Sequence, residues 1–307
     1  MKRRIIALLL LTALFFCAVG CGKNRAASPL LWKVTDDAGH TLYLFGTMHV
    51  GDERSKTVLE KVSPILDGCD ALAVEFDVVA YQNDPASSID SLLPFLLTDG
   101  TTIRDHLPAD LYERAYKLLD DAGLYPSMMQ NYNLAMWGQL VESAAIETKS
   151  DLGTESAMDV LLINRAYETG LPVLDIESAA FQMTLLNSFD DELYLAQIRT
   201  TLDNLDRYGM SLEMMYRAWL SGNRDVFWNI VAQQTAADGS DLYADYNARL
   251  ITARNANMAE AAKACLSGGK TVFFAVGAAH MANETGIVQL LTDAGYTVEE
   301  VKYSDNN

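Results

Sequence analysis

Val272-Phe273-Phe274-Ala275-Val276-Gly277-Ala278-Ala279-His280 is an apolar run that ends in glycine and then, two small residues on, in histidine. So continuous a run reads as a strand buried on both faces of an α/β sheet. The plan recurs near the other end of the chain, in Leu42-Tyr43-Leu44-Phe45-Gly46-Thr47-Met48-His49. Glycine lets the backbone turn sharply where such a strand stops. Where strands run parallel, their carboxyl ends share one edge, and ligands bind there. Two histidines delivered from distant segments can therefore meet. A third apolar strand, Ala71-Leu72-Ala73-Val74-Glu75-Phe76, carries Glu75 with no basic neighbour in sequence. A carboxylate in that setting needs a partner, and a cation shared with the histidines supplies one.

The rest of the chain reads outward from these strands. Leu31 to Val34, the turn Asp36 to Gly39 and Thr41 to Phe45 make a hairpin. A helix from Ser55 to Leu66 stops near Gly68. Residues 85–265 are mostly helical, with apolar spacing of three and four over 108–119, 134–148, 155–168, 212–220 and 243–265. One strand, Pro172 to Ile176, interrupts them. A helix over 284–294 and a strand over 296–301 close the chain. The expected fold is α/β, with α+β as its variant. A central mixed sheet holds a large helical insertion, about 85–265, between its first and last strands, all in one domain of 30–302. Strands 41–46, 71–76 and 271–276 should be neighbours, with the helices over their carboxyl edge. Met128, Met129, Trp137, Met214, Met215, Tyr216, Trp219 and Trp228 read as core, or else as the lining of a substrate groove.

Lys2, Arg3 and Arg4, the apolar run Ile5 to Val19, and Gly20-Cys21-Gly22 have the layout of a secretory signal peptide. Ala18-Val19-Gly20-Cys21 is similar to the lipobox of bacterial lipoproteins, with Ala18 where leucine is usual. The expectation is a signal peptide over 1–20, a lipid on Cys21, a tether over 21–29, and an extracytoplasmic protein touching the membrane only through that anchor. Cleavage leaves 307 − 20 = 287 residues and a charge of 20 − 41 = −21, once the three basic residues of the signal are lost. So acidic a chain repels nucleic acid and anionic headgroups. Of the four cysteines, Cys69 and Cys265 remain outside the signal region and read as free thiols rather than a disulfide framework.

Two imidazoles and a carboxylate leave coordination positions open for water, as catalytic zinc and iron sites do. The plainer alternative is a pair of hydrogen-bonded structural histidines, with a glutamate that faces solvent or pairs with arginine. His40, in the hairpin turn, and His106, before a helix, read as surface residues.

Together these segments resemble the TraB/PrgY/GumN family, whose distant animal relatives include the Tiki proteases, over residues 30 to 302. Gly46-Thr47-Met48-His49 and Gly277-Ala278-Ala279-His280 are similar to its two Gly-x-x-His motifs, and Glu75 to the acidic residue between them. Met158-Asp159 resembles a Gly-x-Asp element with Ala157 in the glycine's place. Glu177 and Gln182 match a Leu-Glu…Gln segment, and Arg254-Asn255 an Arg-Asn pair. Glu284-Thr285-Gly286 fits the closing motif, with Asn283 where glycine is usual. The resemblance implies a metal-dependent hydrolase, a peptidase, with His49, Glu75 and His280 holding a divalent ion (Mn, Co, Zn or Fe). Glu75, Arg254 and Glu284 become the catalytic candidates. Gly46, Gly277, Asp159, Glu177, Gln182 and Asn255 support them. Arg254 either stabilises an oxyanion or pairs with Glu177, and the pairing is the favoured role. Glu284 equally serves the helix dipole behind an Asn283 cap, and Asp159 defaults to solvent. The substrate would be a peptide or another small molecule. The rival functions are a surface protein that binds peptide or metal without turnover, and a scaffold whose histidines staple strands.

Overall fold

The computed structural model describes residues 27–125, 127–235 and 241–302. The basic n-region, the apolar run and Cys21 lie outside them. β1 (Leu31–Thr35) and β2 (Thr41–Thr47) pair antiparallel as the expected hairpin, its turn passing through Gly39 at φ 87°. α1 (Ser55–Leu66) returns the chain to β3 (Ala71–Val74). Helices α2 (Val78–Asn83), α3 (Pro85–Leu92), α4 (Ile103–His106), α5 (Ala109–Asp121), α6 (Leu134–Lys149) and α7 (Met158–Thr169) precede the short strand β4 (Val173–Asp175). Then come α8 (Ala179–Leu186), α9 (Asp191–Asp203), α10 (Leu205–Leu220), α11 (Arg224–Thr235), α12 (Asp241–Asn247) and α13 (Ala253–Ser267). β5 (Val272–Gly277), α14 (Ile287–Asp293) and β6 (Thr297–Glu300) finish the fold.

The six strands form one sheet in the order β4-β3-β5-β2-β1-β6. β4, β3, β5 and β2 run parallel, and the β1 hairpin partner and β6 add antiparallel pairs at one side. The fold is therefore α/β with a mixed sheet, as expected, and the strands near 41–46, 71–76 and 271–276 are neighbours. β5 sits between β3 and β2, and all its residues are buried, which is why its sequence shows no polar alternation. Gly46 pairs with Val276 and Val74 with Ala275, so three strand ends arrive at one edge in register.

The inserted helices close on that edge. Trp219 of α10 donates from its indole N–H to the Gly46 carbonyl at 2.8 Å, and the Met158 N–H at the start of α7 donates to the Met48 carbonyl at 2.9 Å. Met129, Trp137, Met215, Tyr216 and Trp219 are buried, so these positions of the methionine and aromatic set are core rather than a groove lining. Among the described residues no helix is long and apolar enough to cross a membrane.

Three local expectations are corrected. The strand expected over 71–76 ends at Val74, although the Glu177 N–H donates to the Glu75 carbonyl at 2.8 Å and carries the pairing one step further. The helix expected from Glu155 starts at Met158 instead, after a 3-10 turn over Thr154–Ser156, because Ala157 has an extended backbone (ψ 140°). The helix expected from Glu284 starts at Ile287, with Gly286 as its cap. Asn283 has φ 66°, a left-handed conformation that cannot lead into a right-handed helix. Cys69 and Cys265 are free, the former buried.

Candidate metal centre

The close approach of two strand ends builds the centre. Gly46 and Gly277 suit their positions because a Cβ at either would press on its neighbours, which would have to give by a few tenths of an ångström. A Cβ on Gly46 would stand 3.1 Å from both Cα and Cβ of Ala278, in the 3-10 turn Ala278–Met281 that carries His280. A Cβ on Gly277 would stand 3.2 Å from His49 Nε2, 3.3 Å from Glu75 Oε1 and 3.6 Å from His280 Cδ2. The space in front of Gly277 is thus the point on which the three predicted ligands converge.

Each imidazole is held from behind. His49 Nδ1 lies 2.7 Å from Asp159 Oδ2, and the other Asp159 oxygen accepts the Thr47 hydroxyl at 2.6 Å. An ionised carboxylate can only accept, so Nδ1 carries a proton and Nε2 points forward, its lone pair free once the ring gives up its second proton. His280 Nδ1 lies 2.6 Å from Asn255 Oδ1, while the Asn255 amide nitrogen donates to the Thr285 carbonyl at 2.8 Å. That second bond fixes which end of the amide faces the ring, and so fixes the same tautomer. The two Nε2 atoms face one oxygen, Glu75 Oε1, at 3.9 Å from His49 and 4.0 Å from His280.

Glu75 is anchored on its far side. Its Oε2 accepts from Arg254 at 2.5 Å and from the Gln182 amide at 3.0 Å, and Oε1 accepts the Gly277 N–H at 2.8 Å. Arg254 also donates to Glu177 at 2.9 and 2.7 Å and to the Leu250 carbonyl at 3.2 Å. The favoured pairing of Arg254 with Glu177 therefore exists, and extends to Glu75. Four of its five N–H groups are so engaged and its side chain is 2% exposed, which holds Arg254 as a partner of the two carboxylates. Asp159 is not a solvent residue: α7 begins later than its pattern suggested, which places Asp159 in the first turn, against His49. Glu284 is not brought to the centre and is exposed in the loop before α14. His40 pairs with Asp36 in the hairpin, and His106 with Thr101. Sequence reasoning does not single out Thr47; its one signal is a hydroxyl inside the first Gly-x-x-His motif.

The electrostatics separate the two rings. Burial opposes the charged form of His49, but the Asp159 carboxylate, by charge and hydrogen bond, and Glu75 outweigh it and raise its pKa to about 9. Burial dominates at His280 and, with the Arg254 and His49 charges against the pull of Glu75, holds it down at about 3. For Glu75, burial alone would favour the acid; the charges of Arg254, His280 and His49 and the Gly277 N–H reverse that and keep it well below the usual carboxylate range. The donor set of two imidazole nitrogens and one carboxylate oxygen, with the cradle at Gly277, fits a divalent cation in chemistry. The fit is pairwise. Among the described residues no group of three or more His, Cys, Asp and Glu side chains stands ready to hold a metal ion. Ligands of one ion at about 2.0–2.2 Å each sit on the order of 3–4 Å apart, so the separations here lie at the wide end of that range.

A family model described as the TraB/PrgY/gumN family matches residues 30–300. The chain is 22% identical to a protein named Metalloprotease TIKI homolog from Amphimedon queenslandica, over 98% of this chain and 68% of that one. It is 22% identical to the uncharacterized protein YbaP of Escherichia coli (strain K12), over 84% of this chain and 90% of that one. The YbaP protein of Shigella flexneri is 23% identical, over 81% and 87%. No solved structure matches the chain.

Proposed function

We infer that this chain, which belongs to the TraB/PrgY/gumN family, is a divalent-metal-dependent hydrolase of peptide bonds, tethered outside the cytoplasm by a lipid on Cys21. The observation that carries the reading is the convergence of His49 Nε2 and His280 Nε2 on Glu75 Oε1, with each Nδ1 held by an acceptor behind it. Metal-binding histidines are held in this way by an outer partner that sets tautomer and ring orientation. The relative from Amphimedon queenslandica carries the word metalloprotease in its name, and that supports the peptide bond as the target. A divalent ion, when bound, supplies Lewis-acid polarisation of a carbonyl and lowers the pKa of water. The chain's own residues do the rest. His280 presents a lone pair and His49 does so on giving up its Nε2 proton, Glu75 presents a fixed anion, and Arg254, Glu177 and Gln182 keep that anion from rotating. His49, a quarter exposed (25%) against 4% for His280, marks the side from which a substrate arrives.

One observation favours the rival, a surface protein that binds without turnover. Glu75 already accepts from Arg254, Gln182 and Gly277, which leaves it only one lone pair on Oε1 for a cation. The two readings part in one experiment. Purified mature protein, stripped of metal and reloaded in turn with Mn, Co, Zn and Fe(II), is incubated with a quenched-fluorescence peptide library. The hydrolase reading expects cleavage with at least one metal, absent with chelator and lost in His49→Ala and His280→Ala. Stoichiometric metal binding with no cleavage would leave the binding reading standing.

A further inference from the structure

β4 is the end strand of the sheet, and only its inner side is paired. The Leu72 N–H donates to the Pro172 carbonyl and the Ile176 N–H to the Val74 carbonyl, both at 2.9 Å. In a parallel ladder this sets the alternation: Pro172, Leu174 and Ile176 turn their backbone groups toward β3, and Val173 and Asp175 turn theirs outward. No hydrogen bond between described residues fills the outward groups of Val173 and Asp175. Leu174 is 44% exposed and Asp175 is also exposed. They lie on opposite faces of the strand, so the edge presents an apolar face and an acidic face. The Asp175 carboxylate accepts the Asp77 N–H at 2.8 Å, and Asp77 accepts the Tyr167 hydroxyl. Among the described residues neither aspartate is in an ion pair, so the acidic face is uncompensated. Two residues past the edge stands Glu177, whose carboxylate holds Arg254 and Gln182 against Glu75.

We propose that the outer edge of β4 docks the substrate, an extended peptide with alternating basic and apolar residues, whose overhanging end reaches the His49–Glu75–His280 centre. The proposal rests on the peptide-hydrolase reading and adds to it where and how the peptide binds. An open edge is satisfied by a chain in extended conformation, whose backbone supplies the missing donors and acceptors. The pleat then puts apolar side chains beside Leu174 and basic ones beside Asp175. The centre stands in front of Gly277 on β5, and strands lie about 4.8 Å apart, so a strand added beyond β4 runs about 14 Å from β5. About five further residues, at about 3.3 Å each, cover that distance to the centre.

The test is direct binding of a fluorescein-labelled nonapeptide of alternating Lys and Val, by anisotropy, to the mature protein carrying His280→Ala so that no turnover intervenes. In that background Val173→Pro removes one outward donor and leaves the bonds to β3. The proposal expects it to weaken binding at least tenfold with an unchanged melting temperature, and expects an alternating Glu and Val peptide to bind more weakly than the Lys peptide. A second arm needs no protein variant. Peptides N-methylated at alternate amides should lose binding for one alternation and keep it for the other. Equal binding of both N-methylated sets, or full binding by folded Val173→Pro, overturns the proposal. In the wild-type protein, cleavage with KM unchanged by Val173→Pro overturns the docking edge and leaves the hydrolase. Edge-dependent binding with no cleavage by any metal-loaded wild type overturns the hydrolase and leaves the edge.

Discussion

A methyl group on residue 277 would enter the space where His49 Nε2 and Glu75 Oε1 face each other, at 3.2 and 3.3 Å. Gly277→Ala should therefore cost metal affinity, by tenfold or more in a calorimetric titration, while the melting temperature moves little, because φ at 277 is −50° and alanine accepts it. The opposite case is Asn283, whose φ of 66° is the only positive value outside glycine among the described residues. A left-handed backbone of this kind suits glycine, and asparagine is the side chain that tolerates it best. Asn283→Val should destabilise by about 1–2 kcal/mol, read by thermal melting, and Asn283→Gly should not. A third residue lies away from the centre: Glu142, buried in α6, takes one hydrogen bond from the Tyr208 hydroxyl. Burial, partly offset by that bond, raises its pKa well above the usual carboxylate value. The folded protein then keeps a proton that the unfolded chain releases above about pH 4.5. Stability contributed at low pH is lost as pH rises. Glu142→Gln should raise the melting temperature at pH 8 and leave it nearly unchanged at pH 4. A gain of equal size at both pH values would contradict the assignment.

Among the elements, the strands were legible because burial on both faces removes every polar residue from β5 and β3. The Gly-x-x-His ends were legible as small residues closing apolar runs, but what calls for the glycines is close approach rather than a sharp turn: Gly46 lies within β2 and neither glycine has a positive φ. The helix starts of α7 and α14 were not legible, since both are set by partners distant in sequence or by one backbone conformation. Asp159 shows the consequence. A helix read from Glu155 puts it on an outer turn, whereas the observed start aims it at His49. Its role came from the family resemblance as a support without a stated contact, and the contact is a matter of tertiary packing. Asp159→Ala and Asn255→Ala each remove the acceptor behind a ring and leave its lone pair in place. Each should lower metal affinity by roughly 10–100-fold, and Thr47→Val by less, since it acts one bond further out. A variant that melts normally and binds metal as wild type would show that ring to be held by packing alone.

For the molecule as a whole, the sequence reading reached the mixed sheet, the adjacency of its three site-bearing strands and the helical insertion, because all three follow from hydrophobic patterning. It did not reach the strand order or the β4 edge; a three-residue strand, Val173–Asp175, carries too little pattern to show whether it is an edge or a centre. The Arg254 pairing was anticipated from the rule that buried charges need partners. Its extension to Glu75 needed the fold, which brings residues 75 and 254 to 2.5 Å. The anchor belongs to this scale too. Wild-type protein should partition with membranes and release a diacylated Cys21 peptide on mass spectrometry, and Cys21→Ala should abolish both. Everything functional depends on one claim, that a single divalent ion occupies the space in front of Gly277. Crystals grown with Mn²⁺ and measured for anomalous scattering test it most directly. The expected result is one strong peak per chain within about 2.0–2.3 Å of His49 Nε2, His280 Nε2 and Glu75 Oε1. Fully ordered side chains with no peak there, at a Mn²⁺ concentration that fills other known sites of this ligand type, would contradict it.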